Sequence, residues 1–111
     1  MSLDIGLRIE VDTGGPEPFG VTLYSANVTH NVSKMWCAAG VYDALYNYEG
    51  EASGIIAVLE TGLAHMNDNP EVYTPLNPEN GWGDYKGAKK FLAEFLAYCK
   101  LHPQADVWRW K

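Results

Sequence analysis

Apolar and polar residues alternate at the start of the chain, with Ile5, Leu7, Ile9 and Val11 on one side and Arg8, Glu10 and Asp12 on the other. A period of two is that of a strand with one buried face. The segment Thr13-Gly-Gly-Pro-Glu-Pro-Phe-Gly20 cannot continue a ladder, because Pro lacks the N–H and Gly has no side chain to pack. It predicts a connection into a second strand from about Val21 to Val28, with Val21 and Leu23 opposite Tyr24, Ala26 and Val28. A hairpin is the economical arrangement.

From about Asn31 the period lengthens. Val32, Met35, Trp36, Ala39, Tyr42 and Leu45 fall at steps of three and four, which predicts one amphipathic helix ending near Asn47-Tyr-Glu-Gly50. Asn31 or Ser33 is suited to its N-cap, since a short polar side chain accepts from the unpaired N–H groups of the first turn. A second helix is expected from about Ala52 to Asn67, with Ile55, Ile56, Leu59, Leu63 and Met66 on its apolar face and Pro70 bounding its end. Gly54 and Gly62 weaken its intrinsic propensity, so packing must hold it. Thr74 to Gly83 is rich in turn residues and reads as a loop. A third helix, about Asp84 to Leu101, carries the stripe Tyr85, Ala88, Phe91, Leu92, Phe95, Leu96 and Cys99, with Asp84 favouring the dipole at its start. The alternating tail Ala105 to Trp110 predicts a last strand. The order ββαααβ implies an α+β fold, a small antiparallel sheet of the N-terminal hairpin plus the C-terminal strand packed against three helices.

With 47% hydrophobic and 20% charged residues in 111 positions, the chain has material for one core, so a single domain over 1–111 is expected. The formal net charge of -6 points away from nucleic acid, whose phosphates are bound by Lys and Arg. Cys37 and Cys99 lie inside helical patterns and are expected as small core residues rather than a secreted disulfide framework. No stretch nears the ~18 apolar residues that span a bilayer, and no signal-peptide pattern is present. The expectation is a cytoplasmic protein without a membrane partner.

Candidate chemistry gathers at helix entrances. His30, where a strand hands over to a helix, could exchange a proton near neutral pH, with Asn31 and the first-turn N–H groups completing an anion or carbonyl site. The alternative is a hydrogen-bonded structural His30 with Asn31 as a cap. In Asn80-Gly81-Trp82-Gly83, two glycines flank an indole able to stack on a ligand or to plug the edge of the core. Cys99-x-x-His102 is one ligand pair where a structural zinc site has two, and no phosphate-binding Gly-rich loop occurs, so neither metal nor cofactor is expected. Trp108 and Trp110 share one side of the last strand. If helices cover its other side, the indoles are exposed and dimerisation through the sheet follows; otherwise they join the core and Val107 and Arg109 face solvent.

Asn27-Val-Thr-His-Asn-Val-Ser-Lys-Met-Trp36, Gly40-Val-Tyr-Asp-Ala-Leu45 and Asn77-Pro-Glu-Asn-Gly-Trp-Gly-Asp-Tyr85 resemble a group of short proteins of bacteria and their phages or prophages. In that group a T-H-N triplet precedes the first helix and an N-G-W-G segment precedes the last. The resemblance spans roughly Leu23 to the C-terminus and implies that the two segments belong together, without implying an activity. The leading expectation is a non-enzymatic accessory or binding protein in which Thr29, His30, Asn31, Asn80 and Trp82 form a shared structural or ligand-facing cluster. The competing ones are a small hydrolase or transferase with His30 as general base, and a self-associating module using the C-terminal strand, possible as a homodimer.

Overall fold

A computed structural model describes residues 2–12, 14–78, 81 and 83–111 of the chain. Strand β1 (Ser2–Val11) pairs antiparallel with β2 (Phe19–Thr29) on one side and with the C-terminal β3 (Asp106–Trp110) on the other, in the order β2-β1-β3. This is the expected α+β architecture. The central strand is the one with the most apolar alternate positions, and Leu3, Ile5 and Leu7 are wholly buried beneath the helices.

The pairing of β1 with β2 slips once. Leu7 faces Tyr24 but Arg8 faces Thr22, so Leu23 is the extra residue of a β-bulge. The bulge overturns the expectation that Val21 and Leu23 oppose Tyr24, Ala26 and Val28. Val21 pairs with Ile9, and Leu23 lines a hollow with Ile9 and Leu101, so both sit on the helix-covered side. One inserted residue reverses the parity of every position beyond it. Past the bulge the hairpin projects from the helices, leaving Phe19 64% exposed and drawing the molecule out to 53 × 27 × 19 Å.

The stretch expected as one helix from Asn31 to Leu45 is broken in two. A 3-10 turn (His30–Val32) leads into α1 (Ser33–Ala39), which Gly40 ends at φ 77° with its N–H on the carbonyls of Trp36 and Cys37; α2 (Tyr42–Tyr46) follows. Glycine takes this left-handed cap without the steric cost a Cβ brings. The apolar spacing runs through the break because Met35, Trp36, Val41, Ala44 and Leu45 are all buried. Cys37, expected in the core, is exposed, whereas Cys99 is buried.

The second expected helix is likewise segmented into a 3-10 turn (Ala52–Gly54) and α3 (Ile56–Asp68). Pro70 does not close it off but opens α4 (Pro70–Tyr73), since a fixed φ and a missing N–H suit a first helical position. A further 3-10 turn (Thr74–Leu76) follows. Gly62 explains how α3 packs: a Cβ there would lie 2.3 Å from Val41 Cγ1, so its absence lets the helix approach the corner between α1 and α2. The third helix, α5 (Tyr85–Leu101), runs as expected with its stripe buried from Ala88 to Cys99. Asp84 is its N-cap, with Oδ1 accepting the Gly87 N–H at 2.6 Å. Aromatic contacts join the layers: Tyr24 of β2 stacks on Tyr98 at 4.3 Å, and Trp36 meets Phe91 edge-on at 5.8 Å.

Register places Val107 opposite Leu7 and Arg109 opposite Ile5, on the helix side of the sheet. Arg109 uses that position to cap α2. Its Nε donates to the Leu45 carbonyl at 2.8 Å, Nη2 to Ala44 at 3.3 Å, and Nη1 to Tyr48. The Ala44 and Leu45 carbonyls belong to the last turn of the helix, where no partner within it is available, and Tyr48 follows just beyond. Burial lowers the pKa of the guanidinium, with Glu49 acting the other way.

Candidate functional site

The Thr29-His30-Asn31 junction is built first of all as a joint. Thr29 ends β2 in extended conformation, and its Oγ1 accepts the Asn31 N–H at 3.2 Å, so Thr29 caps the 3-10 turn; α1 follows Val32 without a side-chain cap, and neither Asn31 nor Ser33 serves as one. His30 turns inward, its Nδ1 2.7 Å from the hydroxyl of Tyr46. Tyr46 is almost wholly buried and stacks on Tyr42 at 4.5 Å. Burial, then Tyr42, pushes its pKa up to about 12, so the hydroxyl keeps its proton. The phenol and Nδ1 share one hydrogen bond whose direction follows the tautomer of the ring. The same construction recurs where His65 Nδ1 lies 2.5 Å from the hydroxyl of buried Tyr73, itself stacked on Tyr85. In both places a half-exposed imidazole satisfies a buried phenol.

Asn31 points elsewhere, into a hollow of about 270 Å³ shared with Lys34, Pro75, Leu76, Asn77 and Pro78. Asn80 and Trp82 lie outside the described residues. Their neighbour Gly83, at φ 97°, packs so closely on the junction that a Cβ would be 2.6 Å from Thr29 Cγ2 and 3.0 Å from Val32 Cγ1. The two helix entrances therefore adjoin. Asn77 links them to α5, its Oδ1 accepting the Tyr85 N–H at 2.8 Å. That Lys34 and Asn77 line one hollow was invisible in the sequence, where 43 positions separate them.

A second surface is organised by the sheet itself. Register sets three rows across the face that the helices leave bare: Asn27, Asp4 and Trp110; Ser25, Gly6 and Trp108; Thr22, Arg8 and Asp106. Trp110 is 76% exposed, and Trp108 is partly exposed. Of the two arrangements open to β3, the structure has the indoles on the bare side and Val107 and Arg109 inward. Gly6 is what lets Trp108 lie down. A Cβ there would sit 2.8 Å from its Nε1 and 2.1 Å from the Tyr24 carbonyl. Beside Trp110, Asn27 Nδ2 donates to Asp4 Oδ1 at 2.6 Å and to Ser2 Oγ at 2.8 Å. The result is a flat strip of two indoles, ~7 Å apart along the strand, bordered by amide, hydroxyl and carboxylate groups.

Comparison with protein-family models, with curated proteins and with solved structures finds no match to the chain. Among the described residues, no helix is long and apolar enough to cross a membrane.

Proposed function

We propose that this chain is a non-enzymatic binding protein of bacterial or phage origin, working in the cytoplasm, whose ligand lies on the bare face of the sheet. The observation that carries the reading is the pair Trp108 and Trp110, displayed together on the uncovered side with Gly6 giving the first its seat. Indoles bind through flat apolar faces, while Ser25, Asn27 and Asp4 offer hydrogen bonds at the border. A chain of net charge -6 repels polyanions, so the chemistry suits an uncharged ligand with apolar ring faces and hydroxyl edges, a saccharide chain. Two unpaired cysteines, one exposed and one buried, accord with a reducing compartment. Phage or prophage origin rests on the T-H-N and N-G-W-G resemblance, and the closeness of Gly83 to Thr29 accords with the two segments working as a unit.

Within this reading Thr29 and His30 are structural, as the occupied Oγ1 and Nδ1 support. A His30 general base fares less well, because Nδ1 is taken up by the hydroxyl of buried Tyr46. Titration with neutral oligosaccharides of glucose and of N-acetylglucosamine, followed by tryptophan fluorescence and calorimetry, tests the proposal. Binding by the wild type and at least tenfold weaker binding by Trp110→Ala is expected. No binding to any of them, or binding that Trp110→Ala leaves intact, overturns it.

A further inference from the structure

We infer that β2 is a self-association edge, through which two copies join into one six-stranded antiparallel sheet. The two edges of the sheet are finished differently. Along β3 the outer side is occupied: the Val107 N–H reaches the Gly50 carbonyl at 2.9 Å, the Ala52 N–H reaches Ala105 at 2.8 Å, and Glu51 bridges Asp106. Along β2, among the described residues, no backbone group outside β1 pairs with the strand.

Hydrogen-bonding direction alternates along an antiparallel strand, which fixes the groups left over. Because Val107 points outward to Gly50, Trp108 and Trp110 bond inward to Gly6 and Asp4, and the odd positions of β1 bond to β2. Ala26 and Val28, opposite Ile5 and Leu3, are thereby used up, and Ser25 and Asn27 present their N–H and C=O groups to the open edge. The strand is 11 residues long, ~36 Å at the usual rise. Its sequence, FGVTLYSANVT, contains no Asp, Glu, Lys, Arg or Pro.

Charged and proline residues are the usual means by which edge strands avoid pairing, and β2 has neither. What remains is the bulge at Leu23, which confines flat pairing to the run from Tyr24 to Thr29. A second copy is the fitting occupant. Two molecules of net charge -6 repel each other, and β2 is where contact brings no carboxylate of either strand together. Antiparallel pairing of a strand with itself is isologous and closes as a two-fold dimer. The axis stands perpendicular to the sheet, so all helices fall on one side and both bare faces on the other.

Sedimentation velocity from 5 μM to 1 mM, with amide exchange read at both ends of that range, tests the inference. A concentration-dependent dimer is expected, with the Ser25 and Asn27 amides at least tenfold more protected at the high end. Ser25→Pro removes an outward N–H that the monomer does not use, and Ser25→Lys adds charge without touching the backbone. Each is expected to remain monomeric with an unchanged far-ultraviolet spectrum. A wild type that stays monomeric at 1 mM overturns the inference, as does a dimer that survives in folded Ser25→Lys. Neither readout requires saccharide binding, so this result stands apart from that of the proposed function.

Discussion

Replacing Arg109 by Met keeps an unbranched apolar stem in place and removes every donor. The guanidinium makes one good hydrogen bond at 2.8 Å, a second to Tyr48 and a longer one at 3.3 Å. Hydrogen bonds involving a charged group contribute a net ~1.5–3 kcal/mol each. Two effective bonds, less the cost of half-burying the charge, give an expected loss of about 2–3 kcal/mol. For a domain of this size that is a large share of the ~5–15 kcal/mol total, and it lowers Tm by about 8–12 °C. Urea unfolding followed by circular dichroism measures it, with the m-value fixing that only the folded state has changed. Arg109→Lys, a single point donor where a fork was, is expected to recover less than half of the loss. Amide exchange at Asn47 and Tyr48, both bonded to the Asp43 carbonyl, is expected to accelerate in the Met variant because the end of α2 frays first. A Met variant within 0.5 kcal/mol of wild type refutes the reasoning, since the capped carbonyls would then be equally well served by water.

Gly6→Ala is expected to cost about 1–3 kcal/mol, as its methyl group drives into the Tyr24 carbonyl and the Trp108 indole; denaturation measures the loss, and a red-shifted emission reports the displaced indole. Tyr46→Phe deletes the hydroxyl bonded to His30 and is expected to cost ~1 kcal/mol, leaving saccharide affinity unchanged; carbon-13 shifts of the imidazole report the tautomer. Ellman's reagent is expected to titrate Cys37 in the folded protein and Cys99 only on unfolding. Burial raises Cys99 from 9.0 to about 12, and burial, followed by Glu94 for Tyr24 and by Tyr42 for Tyr46, raises both tyrosines from 10.0 to about 12. The unfolded chain loses these protons first, so stability is expected to fall between pH 9 and 12, and a slope that is flat there contradicts these burials.

Strand β1 and α5 were legible because their periods are long and unbroken. Ile5, Leu7 and Ile9 mark β1, and the stripe from Ala88 to Cys99 marks α5. The middle of the chain was read too smoothly. A helical stripe persists across Gly40 because buried residues on both sides of a kink serve one core, so only the glycine, and not the spacing, signals the break. Leu23 shows the same limit in a strand, where hydrophobicity cannot say that one residue is left over. Cys37 lies inside the helical pattern but off its stripe of Val32, Met35, Trp36 and Ala39, so it is exposed while Met35 and Trp36 are buried.

The candidate sites divide along a similar line. Thr29, His30 and Asn31 stood out because polar residues at a strand-to-helix junction are conspicuous, but conspicuousness followed from capping and from satisfying Tyr46, needs that arise wherever a chain changes direction. The open face drew its meaning from register, which pairs Gly6 with Trp108 and Asp4 with Trp110 across about a hundred residues. Once that pairing exists, the five residues of β3 separate two tasks by parity. Arg109 turns inward to hold α2, and Trp108 and Trp110 turn outward to the bare face. Substitution at 109 should therefore move stability with little change in affinity, and substitution at 110 the reverse. Were both properties to move together at either position, the strand would be acting as one packed unit, and the assignment of binding to its outer face would lose its basis.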